Sequence, residues 1–337
     1  MRYLSVILTL LLIAVVSFSM FSRPTALPLD DEQHALDEQL TIKVSHVVAE
    51  HTPKGQAAQH FAKLVEQKSN GQIIVQVFAN AVLYNDEQEL EALQQNEVQM
   101  IMPTVSKMTK FIPAWALLDL PYLFDDNDTV ARYFVSDAAK QLMAQSDAIG
   151  VHTAAFWHNG FKQLLSTSPI QSIDDIQEQR VRIMDSYTLQ RQFELLGATP
   201  VTFGFEEVYE TSQQQAYTIQ ENTFSNIDSK NFYEHQSYIT MSNHGILSYA
   251  VLFNDTFYRN LPEHARQILQ QAIEETTAWH FANSNALNEQ AKNDLQQVAT
   301  FTSLTKEQQQ SLRQQWQPLY DAYKNGHYAS FLTHVSP

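Results

Sequence analysis

At 337 residues, with 44% hydrophobic and 17% charged positions, the chain has material for two ordinary domains and the composition of a globular protein. Its 37 acidic against 21 basic residues give a formal net charge of −16, which repels phosphate backbones and argues against nucleic acid as a partner. A few cations gathered in a cleft would still suit a small anion, because local potential is set locally. The absence of cysteine excludes disulfides, cysteine nucleophiles, thiolate metal sites and bacterial lipidation together.

Arg2 precedes an apolar run from Leu4 to Phe21, and Ser17-Phe18-Ser19 offers a small-x-small cleavage site. Residues 1–19 therefore read as an export signal, with an uncleaved membrane anchor as the alternative. Residues 20–40 are polar, acidic and proline-containing, and read as a linker. A β-branched run predicts a strand over Thr41–Val48, and Thr52-Pro53 places an N-cap before a proline at the first position of a helix reaching Lys68. Asn70-Gly71 marks a turn. A strand at Gln72–Phe78, a helix over about Asp86–Asn96 and a strand at Val98–Met102 follow. A helix over about Asp128–Gln145 and a strand at Val151–Trp157 complete this half.

The rhythm then restarts. A strand at Val181–Met184 leads to a helix at Tyr187–Leu196, a stop at Gly197 and a strand at Thr199–Thr202, and from Glu263 onward the pattern is almost wholly helical. Alternating strands and helices indicate an α/β fold. Two such units with a helical tail suit a two-lobed clamshell that holds its ligand between the lobes.

Motifs for catalysis are missing. His46 and His51 flank Glu50, but HVVAEH lacks the spacing that sets two imidazoles and a base on one helical face, so no metal site is expected. No serine sits in a glycine-flanked elbow and no glycine-rich phosphate loop follows a strand, so no catalytic residue and no cofactor is expected. What remains is a set of cations and amides near strand ends. Alternation in Val181-Arg182-Ile183-Met184 points Arg182 away from its apolar neighbours, and a guanidinium fork matches a carboxylate. Lys162 closes the segment FWHNGFK, and Asn222 lies in QENT. By pattern alone Arg182 and Lys162 read as ordinary surface cations and Asn222 as an ordinary turn asparagine.

Taken together, the segments resemble the solute-binding proteins of tripartite ATP-independent periplasmic (TRAP) transporters, most closely the C4-dicarboxylate receptors of the DctP type. The resemblance runs from about Ile42 to about Pro262 and rests on several segments in family order. They include IKVSHVVAEHTPKGQ at 42–56, LEALQQNEVQM at 90–100, LDLPYLF at 118–124, FWHNGFKQL at 156–164, ELLGATPVTFGFEEVYE at 194–210, QENTFSNI at 220–227 and SNHGIL at 242–247.

The resemblance implies that Arg182 grips the ligand carboxylate bidentately, that Lys162 supports the anion and that Asn222 hydrogen-bonds it. Lys54, Thr104, Lys107, His46 and Trp157 are the candidates for the rest of the ligand. It also implies two α/β lobes joined by crossing strands, with a long helix within Glu263–Leu295 spanning both. Lobe I is expected at residues 41–160 plus about 248–290, and lobe II at 161–247 plus about 291–330. The expected activity is non-enzymatic capture of succinate, malate or fumarate in the periplasm and delivery to the membrane permease subunits. Another organic acid (a 2-oxo acid, sugar acid or sialic acid) and presentation to a sensor kinase stay open as alternatives. Two departures stand out: Tyr217-Thr218-Ile219 replaces the family's Asp-Gly step before Gln-Glu-Asn, and Glu178-Gln179 replaces its Lys-Gly.

Overall fold

Residues 39–324 and 328–332 are described by the structure, a computed structural model; the expected export signal and nearly all of the linker lie outside them. The first half is built from β1 (Leu40–Ser45), α1 (Pro53–Lys68), β2 (Ile73–Phe78), α2 (Glu89–Gln94), β3 (Met100–Ile101) and α3 (Val105–Met108). β1 pairs in parallel with both β2 and β3, so both its edges are hydrogen-bonded, and Ile42 and Val44 are fully covered on its core face while Thr41 and Lys43 stay exposed on the other. α1 starts where the sequence places it. The Thr52 side chain accepts from the Gly55 N–H at 3.2 Å, Pro53 occupies the first turn, and Ala58, Phe61 and Val65 face the core.

The single helix expected over Asp128–Gln145 is two helices, α4 (Asn127–Phe134) and α5 (Asp137–Met143). Ser136 adopts extended geometry between them and accepts from the Ala139 N–H at 3.2 Å, so a new N-cap interrupts a helical pattern. β4 (Val151–Ser166) then runs 16 residues, far beyond the expected end at Trp157. Its second half buries His158, Asn159, Lys162 and Gln163, polar residues that disguise a core strand.

The second half continues with β5 (Arg180–Ile183), α6 (Tyr187–Glu194), β6 (Thr199–Thr202), α7 (Val208–Gln213), β7 (Ile219–Asn222) and α8 (Phe224–Ser229). β8 (Tyr238–Asn254), α9 (Asp255–Asn260), α10 (Glu263–Leu295), β9 (Thr300–Ser303), α11 (Lys306–Gln315) and α12 (Gln317–Lys324) complete the chain. β9 is the exception in a tail expected to be almost wholly helical: it pairs in parallel with β8, which supplies the cross-strand partner that a short TFTS segment needs.

The strand order is β2-β1-β3-β8-β4-β7-β5-β6, with β9 on β8. The antiparallel pair β4 and β8 thus joins two parallel triplets, and its register shifts at Thr153/Ala155, His158/Gly160 and Lys162/Leu164. Gly160, at φ 127°, sits at the middle shift, where a side chain would meet the Asn288 amide at 2.9 Å. These are two lobes joined by long crossing strands.

α10 spans both lobes, packing on α1, β4 and α8. Its Ala265, Leu269, Ala272 and Ile273 enter the main apolar core, while Ala291 and Leu295 enter a smaller one with Phe224, Ile227 and Ile239. Between them its buried face turns polar, with Thr276, His280, Ser284 and Asn288 at four-residue intervals. Asn288 ties this face down, donating to Asn159 O at 2.6 Å and accepting from the Ser225 N–H at 3.1 Å.

Candidate functional site

β5 lies between β6 and β7, all three parallel, so their carboxyl ends open onto one side of the sheet, the usual position for a ligand in such sheets. Arg182 on β5 is 2% exposed. Its Nη2 donates to Phe203 O at 2.9 Å, and its Nε has no acceptor among the described residues. Burial lowers its pKa from the usual value, but a guanidinium stays cationic in proteins. Arg182 pairs in register with Gln220, which sets Asn222 just beyond it on β7. The Asn222 carbonyl accepts from the Thr223 N–H and from Asn226 Nδ2, both at 3.0 Å, which leaves its amide nitrogen as the donor toward the cleft that it lines.

The opposite wall comes from the first lobe. Lys54 lies in the first turn of α1, where the chain folds so tightly that a side chain at Gly55 would lie 2.3 Å from Ala49 O. Only glycine permits that approach. The Lys54 ammonium is buried, donates to Met102 O at 2.8 Å and sits 3.9 Å from the Tyr249 ring centroid. Burial lowers it to about 8. Thr104 caps α3, accepting from the Lys107 N–H at 3.4 Å, and Lys107 pairs with Asp86. Glu89 is buried beside them and takes a hydrogen bond from Ser45 at 3.3 Å; burial pushes it up to about 8, so at neutral pH it holds its proton.

Arg182, Asn222, Lys54, Thr104 and Lys107 line one largely enclosed cleft with about 470 Å³ of atom-free space. Three other expected ligand residues do not line it. Lys162 is buried and its Nζ is bound to Glu221 Oε1 at 2.7 Å, so its charge is cancelled before it can reach an anion directly. His244 Nε2 holds the other Glu221 oxygen at 2.9 Å. Burial alone would raise Glu221, but Lys162 and His244 outweigh it and hold it down to about 2. Trp157 turns into the core, donating to Thr277 Oγ1 at 2.9 Å beneath α10. His46, lowered to about 3 by burial and by nearby Lys54, is a neutral imidazole behind the cleft rather than in it.

Asp86, Glu89, Glu221, Asn226 and Tyr249 also line the cleft, and sequence reasoning missed them. Asn226 reaches the Asn222 side-chain oxygen at 3.0 Å from α8, across a strand-to-helix boundary that no local period encodes.

Charge bookkeeping defines what the cleft can do. Lys107 is offset by Asp86 and Lys162 by Glu221, whereas Lys54 and Arg182 form no ion pair among the described residues. Two uncompensated cations on opposite walls, with apolar side chains such as Met184 and Leu247 between, suit an anion charged at both ends.

The profile of the bacterial extracellular solute-binding protein family 7, DctP, matches residues 44–326. The chain is 44% identical over 238 residues to the C4-dicarboxylate-binding periplasmic protein DctP of Shewanella loihica, covering 71% of each chain. It is 38% identical over 298 residues to the C4-dicarboxylate-binding protein DctB of Bacillus subtilis, covering 88% of this chain and 85% of that one. A solved TRAP periplasmic solute-binding protein from Shewanella oneidensis with bound succinate superposes with a TM-score of 0.84 at 34% identity, covering 88% of this chain and 98% of that one. The chain belongs to the DctP family of TRAP solute-binding proteins, which bind their ligands without enzymatic chemistry.

Proposed function

We propose that this protein captures a C4-dicarboxylate such as succinate, malate or fumarate outside the cytoplasmic membrane and delivers it to the permease subunits of a TRAP transporter. The observation that carries this reading is the pair of uncompensated cations, Arg182 and Lys54, facing one cleft from opposite lobes. Arg182 takes one carboxylate with the Asn222 amide beside it, and Lys54 takes the other with help from Thr104. A small dianion offers little apolar area, so its affinity comes from charge-assisted hydrogen bonds in a cleft poor in water. The lobes close about β4 and β8 near residues 160 and 247, with the boundaries expected from the sequence.

The test is a thermal-shift panel followed by calorimetry on the mature chain. Succinate, malate and fumarate should raise the melting temperature in step with their excess over Kd. Monocarboxylates of similar length should not. A shift confined to sugar acids, sialic acid or 2-oxo acids would replace the dicarboxylate as the ligand.

A further inference from the structure

Asp86 is an anomaly in a cleft that receives an anion. It is a carboxylate 6% exposed, its Oδ1 has no partner among the described residues, and its charge opposes the ligand's. Its Oδ2 is engaged twice, by Lys107 Nζ and by the Phe205 N–H at 3.3 Å from the opposite lobe. On the far side of this pair lies a second cavity, with about 460 Å³ of atom-free space. Asp86, Glu89, Pro103 and Lys107 line both cavities, so these residues are the partition between them.

The second cavity has a chemistry of its own. Leu90, Met108 and Phe111 give it apolar surface beside the carboxyl groups of Asp86, Glu87, Glu89 and Asp185, and Lys110, loosely paired with Asp185 at 3.6 Å, lines it too. Its apolar side chains would take additional methylene groups, and Lys110 is the cation that a second carboxylate would meet.

We propose that the Asp86–Lys107 ion pair is the end wall of the ligand cleft and sets the upper length of the diacid it accepts, with longer α,ω-dicarboxylates as the class that enters when the wall is removed. The inference rests on the dicarboxylate reading above. It assigns Asp86 a reason to be present: cancelling Lys107 leaves Lys54 and Arg182 as the two charges that meet the ligand, and the contact with Phe205 seals the partition as the lobes meet. Other charged or titratable groups facing the pair are Glu89 from α2, Lys54 from α1, and Arg182 and Glu206 from the second lobe.

Calorimetry with succinate, glutarate and adipate on the wild type, Asp86→Ala and Asp86→Asn reads the length preference directly. The wild type should bind succinate at least about tenfold tighter than adipate, and Asp86→Ala should narrow that ratio by about tenfold or more. Asp86→Asn keeps the volume and the acceptor for Phe205, so it should narrow the ratio less. An unchanged ratio in the folded Ala variant, or in the Asn variant if the Ala variant does not fold, overturns the wall even where the melting temperature falls. A change in the malate-to-succinate ratio without a change in the length ratio also overturns it, since Asp86 would then touch the ligand itself. A wild type that binds no diacid removes the dicarboxylate reading as well; one that binds succinate while the variants keep its length ratio removes the wall alone.

Discussion

On the β5 and β7 side of the cleft the cation is held by the sheet: Arg182 stands on the middle strand of the parallel triplet, its guanidinium tied to Phe203 O and its stem buried. On the α1 and α3 side the cations belong to helix starts and lysine stems, and two carboxyl groups, Asp86 and Glu89, lie among them. The first wall presents a planar fork that recognises any carboxylate. The second wall mixes cations with carboxyl groups, and on the length proposal above it is where selectivity among organic acids is set. Lys162 extends the contrast, since it is as buried as Arg182 yet bound to Glu221, where it neutralises a carboxylate that lines the cleft.

The largest expected effect separates these two buried cations. Lys162→Met leaves Glu221 charged and buried, and chemical denaturation should show about 3–5 kcal/mol less stability. Succinate binding should weaken with it, because an uncancelled carboxylate then lines an anion site. Adding Glu221→Gln should restore part of both losses. Arg182→Ala should reduce succinate affinity by about 3 kcal/mol in calorimetry while costing less stability. If Arg182→Ala binds normally, the first wall is not the anchor.

The smallest effect tests the second wall. Folded Glu89 keeps its proton up to about 8, against 4.5 as the ordinary value, so between these pH values the folded state holds a proton that the unfolded state has released. Its contribution to stability therefore falls as pH rises through that window. Glu89→Gln removes the slope, and its melting temperature should gain on the wild type from pH 5 to pH 8, by the equivalent of about 1 kcal/mol or more at pH 8. Lys54, lowered from 10.5 to about 8, has the opposite slope above pH 8, so the comparison is made below it. Parallel pH curves for the two proteins would show that Glu89 is ionised in the fold.

Local signals carried much of the architecture. Thr52-Pro53 fixed the start of α1, and β6 occupies Thr199–Thr202 as its pattern predicts. β8 has no counterpart among the strands predicted from pattern, and β4 exceeds its prediction, because both run through the junction of the lobes. There they bury polar groups such as His158, Asn159, Lys162 and His244, which resemble loop composition. The site shows the same division. Arg182 and Asn222 share a cleft because β5 and β7 are neighbours in the sheet, a fact of topology that no local spacing encodes. The detour of Lys162 to Glu221 depends on β4 lying against β7, where Leu164 pairs with Glu221.

The polar middle of α10 bears on how such a protein opens. An apolar seam across the junction would charge each opening with the hydration of hydrocarbon, roughly 25 cal/mol for every Å² bared. Ser284 and Asn288 can exchange a protein partner for a water at little net cost, as hydrogen-bonding groups do, while Thr276 Oγ1 and the His280 ring nitrogens, without a partner among the described residues, would gain one. Clamped by hydrocarbon at Leu269 and Leu295 and wettable between them, the helix resembles a leaf spring with a lubricated midpoint: it keeps the lobes attached and lets them flex.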